Sequence, residues 1–555
     1  MQIVIPMSGF GERFRKVGFK VPKPLIKIDG LHMIGHIVNL FPKESDFLFI
    51  CNEDHLKEES FFMKEIIKSY CPLAKIIGIK PHKLGPIHAV LAAKDNIDLN
   101  KNVIINYCDF SCYWKWNEFK KFVELSNCDG AIPAYKGFHP HSLGSTNYAY
   151  LKEEDGLLKD IQEKKPFTSN KMNEYASSGT YYFSSGKLML ESLKYVIEED
   201  LNINGEYYVS LAYKKLLLDR KKINIYPLQH FFQWGTPEDL EEYNFWSKTF
   251  KLIISKQNYQ TINLKGSLIM TMAGEGKRFI EEGYKKPKPF IDVSGYPMVL
   301  QALSKFPICS QNIFVVQENI FQREIFDLIL KKYHNSLIKL IPKPTKGQAL
   351  TALIGLKKIN PENFNYPITI GSCDSSFFYD NDKYLKLIND DNIDIIVWAA
   401  RNHANSKRNP EMFGWIDVGK EGLINKISVK KVIKNDLSKP IVVGTFTFKN
   451  SSVLEKSIKK MISRKALVND EFYIDSCIND AISLGYKCHI FVVDYFISWG
   501  TPNDLRTFEY WQSAFHKWSY HPYKIDNDNM INKIRISTFK NNFKKLELNF
   551  FKNGE

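Results

Sequence analysis

Long apolar runs are missing from this 555-residue chain. No uninterrupted stretch approaches 18 residues, so no transmembrane helix is expected. The opening MQIVIPMSGFGERF lacks a basic start followed by a long apolar stretch, so no secretory leader is expected and the chain reads as cytoplasmic. Cysteine pairs at metal-binding spacing are also missing. The nine cysteines, at 51, 71, 108, 112, 128, 309, 373, 477 and 488, are odd in number and form no CxxC. That argues against a disulfide framework or a zinc site and for reduced thiols, Cys108 included. RNP, zinc-finger and basic-helix motifs are absent, so nucleic acid is not an expected partner. Disorder is excluded by an ordinary balance of 44% hydrophobic and 25% charged residues.

What is present is a repeat. MSGFGERF (7–14) recurs as MAGEGKRF (272–279), VPKPLIKIDG (21–30) as KPKPFIDVSG (286–295), and YCDFS (107–111) as SCDSS (372–376). SGTYYF (178–183) recurs as VGTFTF (443–448), NGEYYV (204–209) as NDEFYI (469–474), and QWGTPEDL (233–240) as SWGTPNDL (498–505). The offset is 265 in every pair, and chance repeats do not keep phase over six motifs. The expected organisation is one domain at 1–249, a linker at 250–264, a second domain at 265–514 and a basic tail at 515–555. In the tail, the short alternations IRIS and LELNF suggest an edge strand or a segment docked on the body. Net charge is +15 and lies almost wholly in the second half: residues 1–250 hold 32 Lys+Arg against 31 Asp+Glu, the remainder 44 against 30. Such a surface suits phosphorylated small molecules, though charge alone does not choose among anionic partners.

Within each copy, short apolar runs (QIVIPM, DFLFICN, AKIIGIK, NVIINYCD) alternate with helical stretches such as KKFVELS and GPIHAVLAAK. That pattern predicts an α/β fold with a mostly parallel sheet. YAYLKEEDGLLKDI reads as a hairpin turning at Asp155-Gly156, so the sheet is expected to be mixed.

The first strand exits into a loop with two glycines and a cation: Gly9, Gly11 and Arg13, and again Gly274, Gly276 and Arg278. Glycines let backbone N–H groups approach an anion closely, and arginine offers a planar fork for phosphate oxygens. The third glycine of a Rossmann loop is absent, with Phe at 14 and 279, and so is a Walker lysine motif. Lys23 and Lys288 each sit between two prolines. Proline pushes the residue before it toward extended geometry, which pre-aims a lysine at a phosphate.

With these residues in view, the chain resembles the nucleotidyltransferases that join an NTP to a sugar 1-phosphate or a similar phosphorylated small molecule. The resemblance rests on G-x-G-x-R-F, the KP segment, an acid after a central strand (Asp109, Asp374) and the late GTPEDL, and it covers both copies. It implies two tandem Rossmann-like domains of the GT-A type. It implies that the glycine loop cradles nucleotide phosphates, with Arg13, Lys23, Arg278 and Lys288 as catalytic cations. A later glycine segment (Gly85, Gly347) reads the base. Asp109 and Asp374 bind Mg²⁺. Glu206 and Glu471 face the sugar, and Lys164 and Lys430 hold the acceptor phosphate. The product would be an activated precursor for capsule or another surface glycan.

The chain departs from the family pattern in two places. A second metal-binding Asp is expected two residues before the GT of the late motif, where Gln233 and Ser498 stand. Glu163, before Lys164, has no counterpart in the SVKKV of the second copy. Trp234 and Trp499 read as packing residues and TPEDL and TPNDL as helix starts; for Glu206 the alternative to a place at the sugar is the head of a helix EYYVSLAYKKLL. His139 and His141 fall where either a substrate loop or a turn could lie. Two alternatives remain open. One is a glycosyltransferase using an NDP-sugar, against which stands the lack of DxD, since Phe110 and Ser375 follow the central acids. The other is one catalytic copy with a regulatory or structural second. Base, acceptor and oligomeric state are not legible in the residues.

Overall fold

A computed structural model describes residues 1–144, 146–255 and 261–546. The chain divides into two compact units. One is Met1–Lys251 with Tyr510–Lys524 and residues 539–546; the other is Leu252–Glu509 with Ile525–Thr538.

In the first unit the strand Gln2–Met7 is buried along its length and alternates between two cores. Ile3, Ile5 and Met7 point into one, with Phe47, Phe49 and Cys51 of the neighbouring strand. Val4 points into the other, with Leu48 and Ile50. A strand covered on both faces reads as a continuous apolar run, which is why QIVIPM and DFLFICN look alike in sequence. Gln2–Met7 pairs in parallel with Phe47–Asn52 on one side and Val103–Asn106 on the other, and Phe47–Asn52 pairs in parallel with Lys75–Ile79. Thr180–Phe183 then joins Val103–Asn106 antiparallel, and Gly130–Tyr135 and Ile223–Leu228 extend the sheet. The hairpin Ala149–Glu154 to Leu157–Glu163 turns at Asp155 and Gly156, both at positive φ. The unit is α/β with a mixed ten-stranded sheet.

The second unit follows the same order. Asn263–Met272 pairs in parallel with Ile308–Gln317 and Ile368–Ser372, and Ile308–Gln317 with Ser336–Ile341. Ile441–Phe448 pairs antiparallel with Ile368–Ser372 and Ile395–Ala400, and Ile395–Ala400 in parallel with Cys488–Val492.

Three expectations need revision. Where a linker was expected, the helix Pro237–Ile254 continues past residue 250, and the strand Asn263–Met272 has begun before residue 265; residues 256–260 lie outside the described residues. The tail adds no edge strand over IRIS: Lys533–Arg535 is a 3₁₀ turn leading into the helix Ile536–Asn542, whose Phe539 is buried. Of LELNF, all but Leu546 lies outside the described residues. Lys23 is not extended. Pro22 takes the extended geometry (φ −53°, ψ 142°), and Lys23 opens a 3₁₀ turn, Lys23–Leu25, closed by Leu25 N–H on Pro22 O at 2.9 Å. Pro24 lacks only an N–H that such a turn leaves unused.

Candidate functional site

The strand Gln2–Met7 ends in a loop whose Gly11 adopts the left-handed conformation (φ 63°, ψ 30°) and heads the short helix Glu12–Lys16. A Cβ on Gly11 would lie 3.6 Å from the Cβ of Lys23, and one on Gly9 would meet nothing within 4 Å. The glycines therefore keep the loop open on one side and let it close down on the lysine on the other. Lys23 crosses to the end of the central strand. Its Nζ stands 2.7 Å from Asp109 Oδ2 and donates to Gly235 O at 3.1 Å. Its ammonium also lies 5.5 Å from the Phe14 ring.

Gly85 heads the helix Pro86–Ala92 at φ 86°, ψ 177°. A side chain there would come within 2.7 Å of the backbone N and O of Tyr207. The reason is backbone pairing: Tyr207 N–H donates to Leu84 O at 3.0 Å, and Ile87 N–H to Tyr207 O at 3.3 Å. This pairing straps the 206–208 segment across the 84–87 loop. It places Glu206 in the cleft, in a turn that precedes the helix Ala212–Leu218 and not at that helix's head. The Tyr208 hydroxyl donates to Glu206, and Lys164 Nζ reaches the same hydroxyl at 2.5 Å.

The result is one cleft of about 550 Å³ lined by Gly9, Gly11, Arg13, Lys23, Gly85, Asp109 and Glu206, with Lys164 behind Tyr208 at its rim. Tyr107, Cys108, Tyr208, Lys83 and Gly235 also line it. Sequence reasoning counted GTPEDL toward the resemblance and read TPEDL as a helix start, but gave Gly235 no place in the site. Thr236 does cap the helix Pro237–Ile254, accepting from Asp239 N–H at 3.2 Å. A Cβ on Gly235, however, would stand 3.3 Å from Asp109 Oδ2. Its recurrence as Gly500, at the same distance from Asp374 Oδ2, was the available signal.

Trp234 and Trp499 are fully buried, as expected of packing residues. His139 and His141 do not line the cleft. They pack on Tyr135, His141 Nε2 lying 2.9 Å from its hydroxyl. Cys108 is held as a thiol: burial, then the Asp109 carboxylate, push it up to about 12.

The second unit assembles the corresponding residues. Gly276 (φ 68°) comes within 3.1 Å of Lys288 Cβ when given a Cβ, and Lys288 Nζ lies 2.5 Å from Asp374 Oδ2. Burial alone would raise the Asp374 carboxyl. The Lys288 charge and hydrogen bonds from Lys288 and Ser372 outweigh it and hold the group below the usual carboxylate range. Burial likewise works against the Lys288 ammonium, and Asp374 more than offsets it. Arg278 is near enough to act electrostatically on Lys288 and on Tyr473. Gly274 O lies 3.4 Å from Gln317 Nε2. Gly347 (φ 104°) abuts the Phe472 backbone at 2.5 Å when given a Cβ. Lys430 Nζ stands 5.0 Å from the Tyr473 ring, and Glu471 interacts with the Tyr473 hydroxyl. The two positions expected to carry a second acid differ in surroundings: Gln233 packs at Gly235, while Ser498 Oγ donates to Asp504 Oδ2 at 3.2 Å.

Among the described residues no group of three His, Cys, Asp or Glu side chains is placed to hold a metal. Mg²⁺ needs fewer protein ligands, because it takes one or two carboxylates and completes its shell with phosphate oxygens and water. Asp109 fits that requirement: it is a hard oxygen donor facing the phosphate-type loop, with a glycine keeping its approach clear.

The sequence profile of the family described as nucleotidyl transferase matches residues 3–224. Relatives include the bifunctional protein GlmU of Fervidobacterium nodosum, 27% identical over 212 residues that make up 38% of this chain and 42% of that protein. Another is the mannose-1-phosphate guanylyltransferase catalytic subunit beta of Dictyostelium discoideum, 26% identical over 192 residues, 33% of this chain and 50% of that protein. The chain spans about half the length of the curated relatives it matches. A solved nucleoside-diphosphate-sugar pyrophosphorylase from Vibrio cholerae RC9 is 19% identical, with a TM-score of 0.37 over 44% of this chain and 99% of that one.

Proposed function

We propose, from the match of residues 3–224 to the nucleotidyl transferase family, that the chain is a tandem nucleotidyltransferase: two copies of one domain, each joining an NTP to a sugar 1-phosphate or similar phosphorylated small molecule and releasing pyrophosphate. One observation carries the reading. The Gly9–Arg13 loop, the Lys23–Asp109 pair and the Glu206 strap line a single cleft, the arrangement that a triphosphate and a phosphorylated acceptor would need.

In this reading an acceptor phosphate oxygen attacks the α-phosphorus in line. The new O–P bond forms as the bond to the β-phosphate oxygen breaks, and pyrophosphate takes the electron pair. Catalysis is then mostly positioning and charge neutralisation. The glycine loop presents backbone N–H groups to the β- and γ-phosphates. Arg13 and Lys23 neutralise the charge developing on the transferred group, and Arg278 and Lys288 do so in the second copy. The Gly85 and Gly347 loops border the base. Glu206 and Glu471 accept from acceptor hydroxyls, and Lys164 and Lys430 hold the acceptor phosphate. Asp109 and Asp374 would hold Mg²⁺, which when bound supplies further neutralisation of phosphate charge. Against its burial, the Lys288 charge and the hydrogen bonds from Lys288 and Ser372 keep Asp374 ionised for that task. The product class suits cytoplasmic supply of capsule or other surface-glycan precursors.

The test is pyrophosphate release from each common NTP with a panel of hexose 1-phosphates and Mg²⁺, on the intact chain and on Asp109→Ala and Asp374→Ala. Turnover that falls in stages, one variant at a time, supports two working copies. No pyrophosphate from any pair rejects the reading.

A further inference from the structure

In the first unit the strand Leu157–Glu163 ends immediately before Lys164, which turns back at φ 58° and donates its N–H to Tyr148 O at 2.8 Å. Glu163 is buried and accepts from Ser210 Oγ at 2.6 Å. Burial pushes its carboxyl up to about 7, against the Ser210 hydrogen bond and the charge of Lys164. The register partner of Glu163 is Ala149.

The second unit repeats the backbone and redistributes the side chains. The strand Ile424–Val429 ends before Lys430, which turns at φ 56° and donates to Phe413 O at 2.9 Å. Where Glu163 stood, Val429 stands, so the carboxylate has gone from the strand. A carboxylate appears instead on the helix packed against this strand. Asp475 lies 265 residues beyond Ser210, in the first turn of the helix Ile474–Ser483. The register partner of Val429 is Gly414, and a Cβ there would overlap Asp475 Oδ2. Three positions have therefore changed together: Ala149, Glu163 and Ser210 in one unit, Gly414, Val429 and Asp475 in the other. A strand that had merely lost its glutamate would need neither the new acid nor the missing methyl. Burial raises Asp475 to about 6, against its own backbone hydrogen bond and the charge of Lys430. Asp475 thus feels the charge of Lys430, the counterpart of the lysine whose charge acts on Glu163 in the first unit.

We propose that Asp475 is the positioning carboxylate of the acceptor pocket in the second unit, doing from the helix what Glu163 does from the strand, so that Lys430, Glu471 and Asp475 form a working site for a phosphorylated polyol. The proposal rests on the nucleotidyl-transfer reading above. It makes the second unit a binding unit in its own right despite its departure from the EK pattern. The carboxylate holds the lysine ammonium toward the acceptor phosphate.

Calorimetric titration of the intact chain with hexose 1-phosphates tests this, in a Lys164→Ala background that silences the first pocket. Binding should persist there, weaken roughly tenfold in Asp475→Ser and in the shape-preserving Asp475→Asn, and return in the rebuilt triple variant Gly414→Ala, Val429→Glu, Asp475→Ser. Affinity in the Lys164→Ala chain should also fall as pH drops through 6, and that fall should vanish in Asp475→Asn. Unchanged affinity in a folded Asp475→Asn chain overturns the inference and leaves the nucleotidyl-transfer reading standing. Loss of all binding in Lys164→Ala also overturns it, leaving a first unit that binds alone. An intact chain that binds no hexose 1-phosphate removes both.

Discussion

Lys288 Nζ stands 2.5 Å from Asp374 Oδ2, the side chains 22% and 23% exposed. Each group is costly to bury alone and each is kept charged by the other. Lys288→Met should therefore do two things. It should reduce the activity of its own unit by roughly 10²–10³-fold, as expected for loss of a phosphate-facing cation. It should also destabilise that unit by about 1–3 kcal/mol, because Asp374 is left without its partner. The folded Asp374 carboxyl lies below its unfolded value, so its contribution to stability is present above pH ~4 and is lost as pH falls through the folded value. In Lys288→Met burial is left to dominate this carboxyl, so that acid-side loss should disappear. Denaturant melts at pH 3 to 7 check both points, and superimposable profiles would count against the pairing.

Gly85→Ala should be among the most damaging single-methyl additions to the first unit. The residue sits at φ 86°, ψ 177°, a region open in practice only to glycine, and the new Cβ would meet the Tyr207 backbone at 2.7 Å. The strap carrying Glu206 would have to lift. The expected cost is about 1–3 kcal/mol, together with a raised acceptor KM. Gly137→Ala is the control: it shares a φ of 87° but meets nothing within 4 Å. Equal losses in thermal midpoint and equal KM for the two variants would show that backbone strain, and not the strap, is what matters at residue 85.

How much of this could be read from the sequence depends on distance along the chain. The phase-locked motifs made the duplication legible, and the resemblance to nucleotidyltransferases implied that Lys23 works beside Asp109 and Lys288 beside Asp374. The parallel strands were legible for a related reason: two buried faces give unbroken apolar runs such as FLFIC. Gly235 was not legible as part of the site, since its role is to leave space beside Asp109 and a helix-start motif hides that. Asp475 was not legible either. The second unit's hairpin is one residue longer, so the offset slips to 266 at Val429 and Lys430 and returns to 265 at Asp475, and a lost acid on a strand and a gained one on a helix share no local signature. The split of the tail between the two units depends on long-range packing of residues such as Phe539 and Ile525, which no periodicity announces.

Cys108 borders the cleft but should behave as an inert thiol. Burial and the neighbouring Asp109 push it up to about 12, so almost no thiolate exists at neutral pH. Iodoacetamide at pH 8 should leave Cys108 unmodified in peptide mass spectra and leave pyrophosphate release intact. Rapid alkylation with loss of turnover would mean that the cleft activates this sulfur. Asp109→Asn removes a charge that opposes the thiolate, so any increase in alkylation should appear in that variant first.

Glu163 sets a pH dependence of opposite sign to that of Asp374. Burial raises its carboxyl to about 7, above the ordinary 4.5, so between those values the folded chain holds a proton that the unfolded chain has released. Its favourable contribution is complete below pH ~4.5 and is lost as pH rises through 7, a swing of about 3 kcal/mol at the shift given. Glu163→Gln keeps an acceptor for the Ser210 hydroxyl and removes the titration. The variant should match the wild-type first unit near pH 5 and exceed it at pH 8, by several degrees in thermal midpoint. If the two midpoint-versus-pH curves run parallel from 5 to 8, Glu163 is ionised throughout. The Lys164 ammonium would then dominate its surroundings, and burial would be the weaker influence on this carboxyl.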